Sequence, residues 1–205
     1  ELVFDVLQAH GVDDVILSVG YLADTIQAYF RDHPAGLPLR FLVEAQPRGT
    51  AGALLMLKES GQLPAEDFFM VNADNLLGAD LTALAAFHRA HGGMATVALH
   101  EVEDPSAYGV ARMVGERIIE FVEKPPRERA PSHLINTGYA VLSPGVFTFV
   151  PSQPFAMYER DVYPALAREG KLYGYPTQGQ WFDTGTHESY ARVQAEWRGP
   201  GWSKT

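Results

Sequence analysis

Asp67-Phe68-Phe69-Met70-Val71-Asn72-Ala73-Asp74 is the stretch whose reading decides the fold. Its consecutive apolar residues show no polar alternation, which suits a strand covered on both faces. Helical spacing resumes over Leu81–His91, before another apolar run at Ala95–Val102. The same alternation extends upstream, with strands at Asp14–Gly20 and Leu39–Ala45 and helices at Ala23–His33 and Thr50–Ser60. Strands relieved in turn by helices predict an α/β fold of Rossmann-like, three-layer α/β/α type, built on a mostly parallel mixed central sheet. In open sheets of that kind ligands bind beyond the carboxyl ends of the strands. Asp74 stands at such an end.

Past Val102 the rhythm changes. Shorter strands are expected at Gly109–Val114, Arg117–Glu123 and Tyr139–Leu142, broken by Pro-containing loops, of which Arg127–Ser132 is the most loop-like. Helical segments near Glu159–Arg168 and Glu188–Trp197 close the chain. At the other end Leu2, Val3, Val6 and Leu7 lie at helical spacing, with Gly11 as a stop. Glu1 therefore falls inside an amphipathic helix with no strand before it, and the chain reads as cut at its front. The expectation is a single domain over residues 1–205, incomplete at its N-terminus, with no internal repeat and no C-terminal β-helix.

Composition narrows the function. Hydrophobic residues make up 46% of the chain and charged residues 20%, ordinary for a globular protein. The net charge of −9 argues against nucleic-acid binding, which needs clustered Lys and Arg. No apolar run approaches the roughly 20 residues that span a bilayer. With no cysteine there is neither a disulfide framework nor a thiolate metal site, and a cytoplasmic setting is expected. His88 and His91, one helical turn apart, read as a solvated helix face, and Phe68, Phe69, Phe121, Phe147 and Phe149 read as core.

Several short motifs then stand in order: Glu44-Ala45-Gln46-Pro47-Arg48-Gly49-Thr50-Ala51-Gly52, Val71-Asn72-Ala73-Asp74, Tyr108-Gly109-Val110, Phe121-Val122-Glu123-Lys124-Pro125, Asn136-Thr137-Gly138 and Trp181-Phe182-Asp183-Thr184-Gly185. Taken singly, each has a plain reading. Gly49–Gly52 is a tight turn opening a helix, Asp74 a loop cap and Asp183 a helix-initiating turn residue. Glu44 is a strand-end charge, Glu123-Lys124 an exposed pair and Asn136-Thr137-Gly138 a turn. Taken in series, they resemble the sugar-phosphate nucleotidyltransferases, of nucleotide-diphospho-sugar transferase fold. The resemblance runs to the end of the chain but begins after that family's N-terminal glycine-rich phosphate loop.

The resemblance implies roles. Asp74 and Asp183 would hold Mg²⁺, and with Lys124, facing the sugar phosphate, would form the catalytic set. Glu44, Gly49, Thr50 and Asn72 would bind the nucleotide. Gly109, Glu123, Asn136 and Thr137 would bind the sugar. Relatives specific for uridine or thymidine carry glutamine where Glu44 stands. A carboxylate only accepts hydrogen bonds, so Glu44 suits the adjacent N–H donors of guanine. The implied substrates are a nucleoside triphosphate, GTP favoured, and a sugar 1-phosphate, mannose 1-phosphate favoured. A homo-oligomer is compatible with the family. Without the glycine-rich clamp, the chain as written is expected to turn over barely or not at all. Two other readings stay open: a nucleotide-sugar-dependent glycosyltransferase, and a non-catalytic relative that binds a nucleotide sugar.

Overall fold

A computed structural model describes residues 1–200. In chain order the elements are α1 (Leu2–Ala9), β1 (Val15–Val19), α2 (Ala23–Asp32), β2 (Leu39–Val43), α3 (Gly52–Ser60), β3 (Phe68–Val71), β4 (Asn75–Leu77), α4 (Leu81–His91), β5 (Ala95–Glu101), β6 (Gly109–Val114), β7 (Arg117–Glu123), β8 (Leu134–Leu142), α5 (Tyr163–Arg168), β9 (Leu172–Pro176), β10 (Trp181–Asp183) and α6 (His187–Glu196). A π-helical turn over Tyr158–Val162 leads into α5. Local chemistry sets several boundaries. Asp80 caps α4 by accepting from the Ala83 N–H at 3.0 Å. Thr186 and Ser189 bond reciprocally to start α6.

The α/β expectation holds, but the sheet is not mostly parallel. Six strands run in the order β3-β8-β5-β9-β7-β6, and β6 also pairs with β8 through Val110 and Ile135. The sheet therefore closes on itself, with β3 outside the ring. Among the described residues only β5–β9 and the separate β1–β2 pair are parallel. β8 lies antiparallel to β3, β5 and β6, and β6–β7 is a hairpin. Continuous apolar runs report burial on both faces, not strand direction, and a closed sheet buries its strands just as well. Its cluster includes Val97, Leu99, Ala111, Ile118, Phe121, Ala140, Leu142 and Leu172. A second cluster, with Phe4, Leu77, Leu81, Leu84, Ala98, Tyr139 and Val141, ties α1 and α4 to the other side.

His88 departs from the solvated reading. It is 1% exposed, with Nδ1 on Thr96 Oγ1 at 2.8 Å and Nε2 on Ser143 Oγ at 2.9 Å. Those hydroxyls, both from strands or strand ends, remove the cost of burying an imidazole on an otherwise apolar helix face. Burial nevertheless pushes its pKa down, against a smaller opposing effect from Asp67.

Candidate active site

β3 stops where its backbone turns. Asn72 N–H donates to Gly138 O at 2.8 Å, and Asn75 N–H donates back to Asn72 O at 3.1 Å. Asp74 lies exposed on that turn. β4 then runs antiparallel to β10 with Asn75 opposite Asp183. Just beyond that pair, Thr184 donates to Asp74 O from its N–H at 2.8 Å and from its hydroxyl at 2.7 Å. Residues opposite each other in an antiparallel pair have Cα atoms about 5 Å apart. Asp74 and Asp183 are thus diagonal neighbours, although Thr184 and Asp74 stand 110 residues apart in sequence. Asp74 Oδ1 accepts from Asn75 Nδ2 at 2.9 Å, and Asp183 Oδ1 accepts from Gly185 N–H at 2.7 Å. Among the described residues the second oxygen of each has no hydrogen-bond partner in the chain. Two such oxygens fit Mg²⁺, which takes one or two carboxylates and fills its octahedron with water and phosphate.

A bulge in β8 locks this turn to the sheet. Val97 pairs with Ala140 and Leu99 with Asn136, so β8 carries extra residues opposite Ala98. Asn136-Thr137-Gly138 runs from the paired Asn136 into this bulge inside β8 and is not a turn between strands. The looped backbone supplies carbonyls to its neighbours: Gly138 O to Asn72 N–H and Thr137 O to Trp181 Nε1 at 3.1 Å. Gly138 sits at φ +82°, and a Cβ there would lie 2.8 Å from Asn75 Nδ2. The Thr137 side chain faces inward, fully buried, with its hydroxyl on Ala98 O at 2.8 Å. It holds the bulge and leaves Asn136 as the outward-facing polar group. Asn136 accepts from Gly138 N–H at 2.9 Å, and its amide nitrogen has no partner in the chain among the described residues.

The hairpin β6–β7 brings the next set. Gly109 pairs with Glu123, and Lys124 N–H donates to Tyr108 O at 3.0 Å. Lys124 adopts φ +46°, a left-handed conformation that costs a non-glycine residue about 1–3 kcal/mol. That turn separates two charges: the Lys124 side chain is 63% exposed and that of Glu123 only 11%, with Nζ and Oε1 4.0 Å apart. Burial chiefly, and then the charge of Glu159, raise the Glu123 pKa, while Lys124 and Arg160 oppose them. The Tyr108 ring meets Trp181 edge-on at 5.2 Å. Its phenol pKa is raised by burial and, secondarily, by Asp183, with Arg192 opposing. Tyr108 therefore joins the Glu123 hairpin to the carboxylate pair.

The glycine loop is held from outside. Glu44 accepts from Ser18 Oγ at 2.9 Å and from Arg48 N–H at 3.2 Å, which fixes it over the loop. Gly49 takes φ +81°, and a Cβ there would lie 2.2 Å from Ala156 O. Its missing side chain is needed by this contact with the chain itself. Thr50 Oγ1 donates to Glu159 Oε2 at 2.7 Å and accepts from Tyr158 N–H at 3.0 Å. Contacts thus connect Asp74, Asp183, Asn72 and Asn136, the Gly109–Lys124 hairpin joins them through Tyr108 and Trp181, and the Glu44–Thr50 loop is tied to Glu159, whose charge bears on Glu123. Sequence reasoning missed Glu159, Asn75 and Trp181. For Glu159 the local signal is weak, since it shares its stretch with Arg160 and Asp161 between the buried Tyr158 and Val162.

Strand-end carboxylates beside a bulged strand and a glycine loop, on a mixed α/β sheet, define a fold of the nucleotidyltransferase class. The chain belongs to the Nucleotidyl transferase family, whose sequence pattern matches residues 1–198. It is 34% identical over 184 residues to mannose-1-phosphate guanyltransferase beta-A of Xenopus laevis, covering 88% of this chain and 50% of that protein. It is 33% identical over 193 residues to the mannose-1-phosphate guanyltransferase of Eremothecium gossypii, covering 91% and 52% respectively. The chain thus spans about half the length of the curated relatives it matches. Among solved structures, HddC from Yersinia pseudotuberculosis complexed with GMP-PN superposes with a TM-score of 0.73 at 25% identity, over 92% of this chain and 80% of that one. UDP-glucose pyrophosphorylase complexed with UDP-glucose superposes at 0.80 and 21% identity, over 95% and 84%, a likeness of fold.

Proposed function

We propose that this chain is a nucleotidyltransferase domain over residues 1–205 that moves a nucleoside monophosphate from a triphosphate, GTP, to a sugar 1-phosphate, mannose 1-phosphate. The observation that supports the reading is that the β4–β10 ribbon brings the backbone of Asp74 beside Asp183 and Thr184. The base and sugar assignments draw support from the relatives above and from Glu44, an acceptor-only group at the loop.

A sugar phosphate oxygen attacks the α-phosphorus of the triphosphate, one P–O bond forms, the bond to the bridging oxygen breaks, and pyrophosphate leaves. A phosphate monoester with a second pKa near about 6 is already largely dianionic at neutral pH, so no general base is required. Positioning and charge neutralisation supply the catalysis. Mg²⁺, held by Asp74 and Asp183, would contribute charge neutralisation at the phosphates. Lys124, exposed beside Glu123, holds the attacking phosphate. Glu123, the Asn136 amide and the Gly109 backbone receive the sugar hydroxyls, with Thr137 fixing Asn136 from below. Glu44 accepts from the guanine edge, while Asn72, Gly49 and Thr50 line the nucleotide side. No helix among the described residues is long and apolar enough to cross a membrane. A cytoplasmic setting suits a chain without cysteine.

The test is pyrophosphate release by the full-length protein, with GTP set against UTP and mannose 1-phosphate against glucose 1-phosphate. Fastest release with GTP and mannose 1-phosphate is expected. No release with any pair would overturn the reading.

A further inference from the structure

Glu159 is a carboxylate only 7% exposed, on a π-helical turn, among Tyr158, Val162 and Tyr163. π-Turns are uncommon and concentrate at functional sites. Its segment is laced to the glycine loop throughout. Ala156 N–H donates to Arg48 O at 2.9 Å, Ala51 N–H to Ala156 O at 3.0 Å, Tyr158 N–H to Thr50 Oγ1, and Thr50 Oγ1 to Glu159 Oε2. The Gly49 contact with Ala156 O admits no side chain. On its other side the strap packs on the sugar-reading hairpin, with the Tyr158 ring stacked on Tyr163 at 5.8 Å and Tyr163 edge-on to Phe121 of β7 at 5.1 Å, and Glu159 lies within electrostatic reach of Glu123.

We infer that the strap Ala156–Glu159 couples the nucleotide loop to the sugar-reading hairpin, with Glu159 as the positioning residue that anchors it through Thr50. This rests on Glu44–Gly52 being the nucleotide loop. A buried charged acceptor receiving a hydroxyl at 2.7 Å is a strong, directional tie. It fixes the Thr50 side chain and orders the amide that follows it. Its charge also faces Glu123, alongside Lys124 and Arg160, so loading of one half of the cleft is felt electrostatically in the other. Losing the tie therefore loosens the loop first and leaves the sheet intact.

The experiment compares, in the full-length protein, wild type with Glu159→Ala, Glu159→Gln and Thr50→Val in three measurements. These are amide hydrogen exchange without ligand, calorimetric GTP binding, and NMR titration of the Glu123 carboxyl. In the Ala and Val variants, Ala51 N–H should exchange about tenfold faster and GTP should bind about tenfold more weakly, the effect of one lost charged hydrogen bond. Val97 N–H, in the core, should not change. In Glu159→Gln the amide oxygen still accepts from Thr50, so Ala51 stays protected, while Glu123 titrates at lower pH because its like-charged neighbour is gone. Unchanged Ala51 exchange in both other variants overturns the inference, as does equal acceleration at Val97, which signals general destabilisation. Should Glu159→Ala not fold, Thr50→Val decides. Failure of wild type to bind GTP overturns the nucleotide reading instead, while the ligand-free exchange data still judge the strap.

Discussion

Asp74 and Asp183 each commit one carboxylate oxygen inside the chain, to Asn75 and to the Gly185 N–H, so either can lose its charge without losing its place. Asp74→Asn or Asp183→Asn in the full-length protein should cut turnover about a hundredfold or more, the scale of removing one well-aimed electrostatic group. Thermal stability should barely move. Pyrophosphate assays across Mg²⁺ concentration check this, and normal rates would remove both residues from the metal site. Glu44→Gln keeps the Ser18 contact through its amide oxygen, gives up the longer one from Arg48 N–H, and adds donors that clash with guanine N–H groups. The kcat/KM ratio of GTP to UTP should fall about tenfold, and an unchanged ratio would count against Glu44 as the base reader. Asp74 and Asp183 could be singled out because a strand end or a short motif marks each in the sequence. Glu159 could not be, since its role depends on Thr50, 109 positions away, and a Glu followed by Arg160 and Asp161 does not name its partner.

Elements of ordinary length were read well. Leu81–His91, Gly109–Val114 and Arg117–Glu123 have the boundaries that their spacing indicates. β4 and β10 escaped because strands of three residues carry no periodicity, and β9 because Leu-Tyr-Gly-Tyr-Pro contains two breakers. β8 was recognised only from Tyr139 onward, since Asn-Thr-Gly spells a turn locally and becomes a bulge only when β5 and β6 pair beyond it. That difference is testable. Gly138→Ala forces a side chain into the left-handed region and against Asn75. It should lower unfolding free energy by about 1–3 kcal/mol in urea titrations, and in the full-length protein activity should fall at temperatures where the variant remains folded. A neutral substitution would mean that the bulge tolerates what its geometry forbids.

Over the whole molecule, the direction of the sheet was the least legible property. A βα rhythm in the first half suggested mostly parallel pairing, whereas β8 enters between β3 and β5 and reverses it. Only the full set of pairings contains that information. Global stability should also respond to pH through His88. Its folded pKa is depressed, so its contribution is complete above the unfolded value of about 6.5 and is lost as pH falls through and below that value toward the folded one. His91 acts oppositely: its pKa is raised, first by the Phe87 carbonyl, so its contribution is full below that same value and fades as pH rises. The difference in unfolding free energy between wild type and His88→Gln should therefore narrow from pH 7.5 to pH 5, as proton linkage requires of a group buried neutral; a constant gap would refute the assignment. The β8 bulge has one more implication. Between Val97–Ala140 and Leu99–Asn136, β5 advances by an even step and β8 by a longer even one. Excising Thr137 and Gly138 together would thus preserve the inside–outside phase of every remaining side chain. Such a shortened protein should still assemble its barrel while its two acidic loops come adrift, making the scaffold and the chemistry separately heritable parts of one strand.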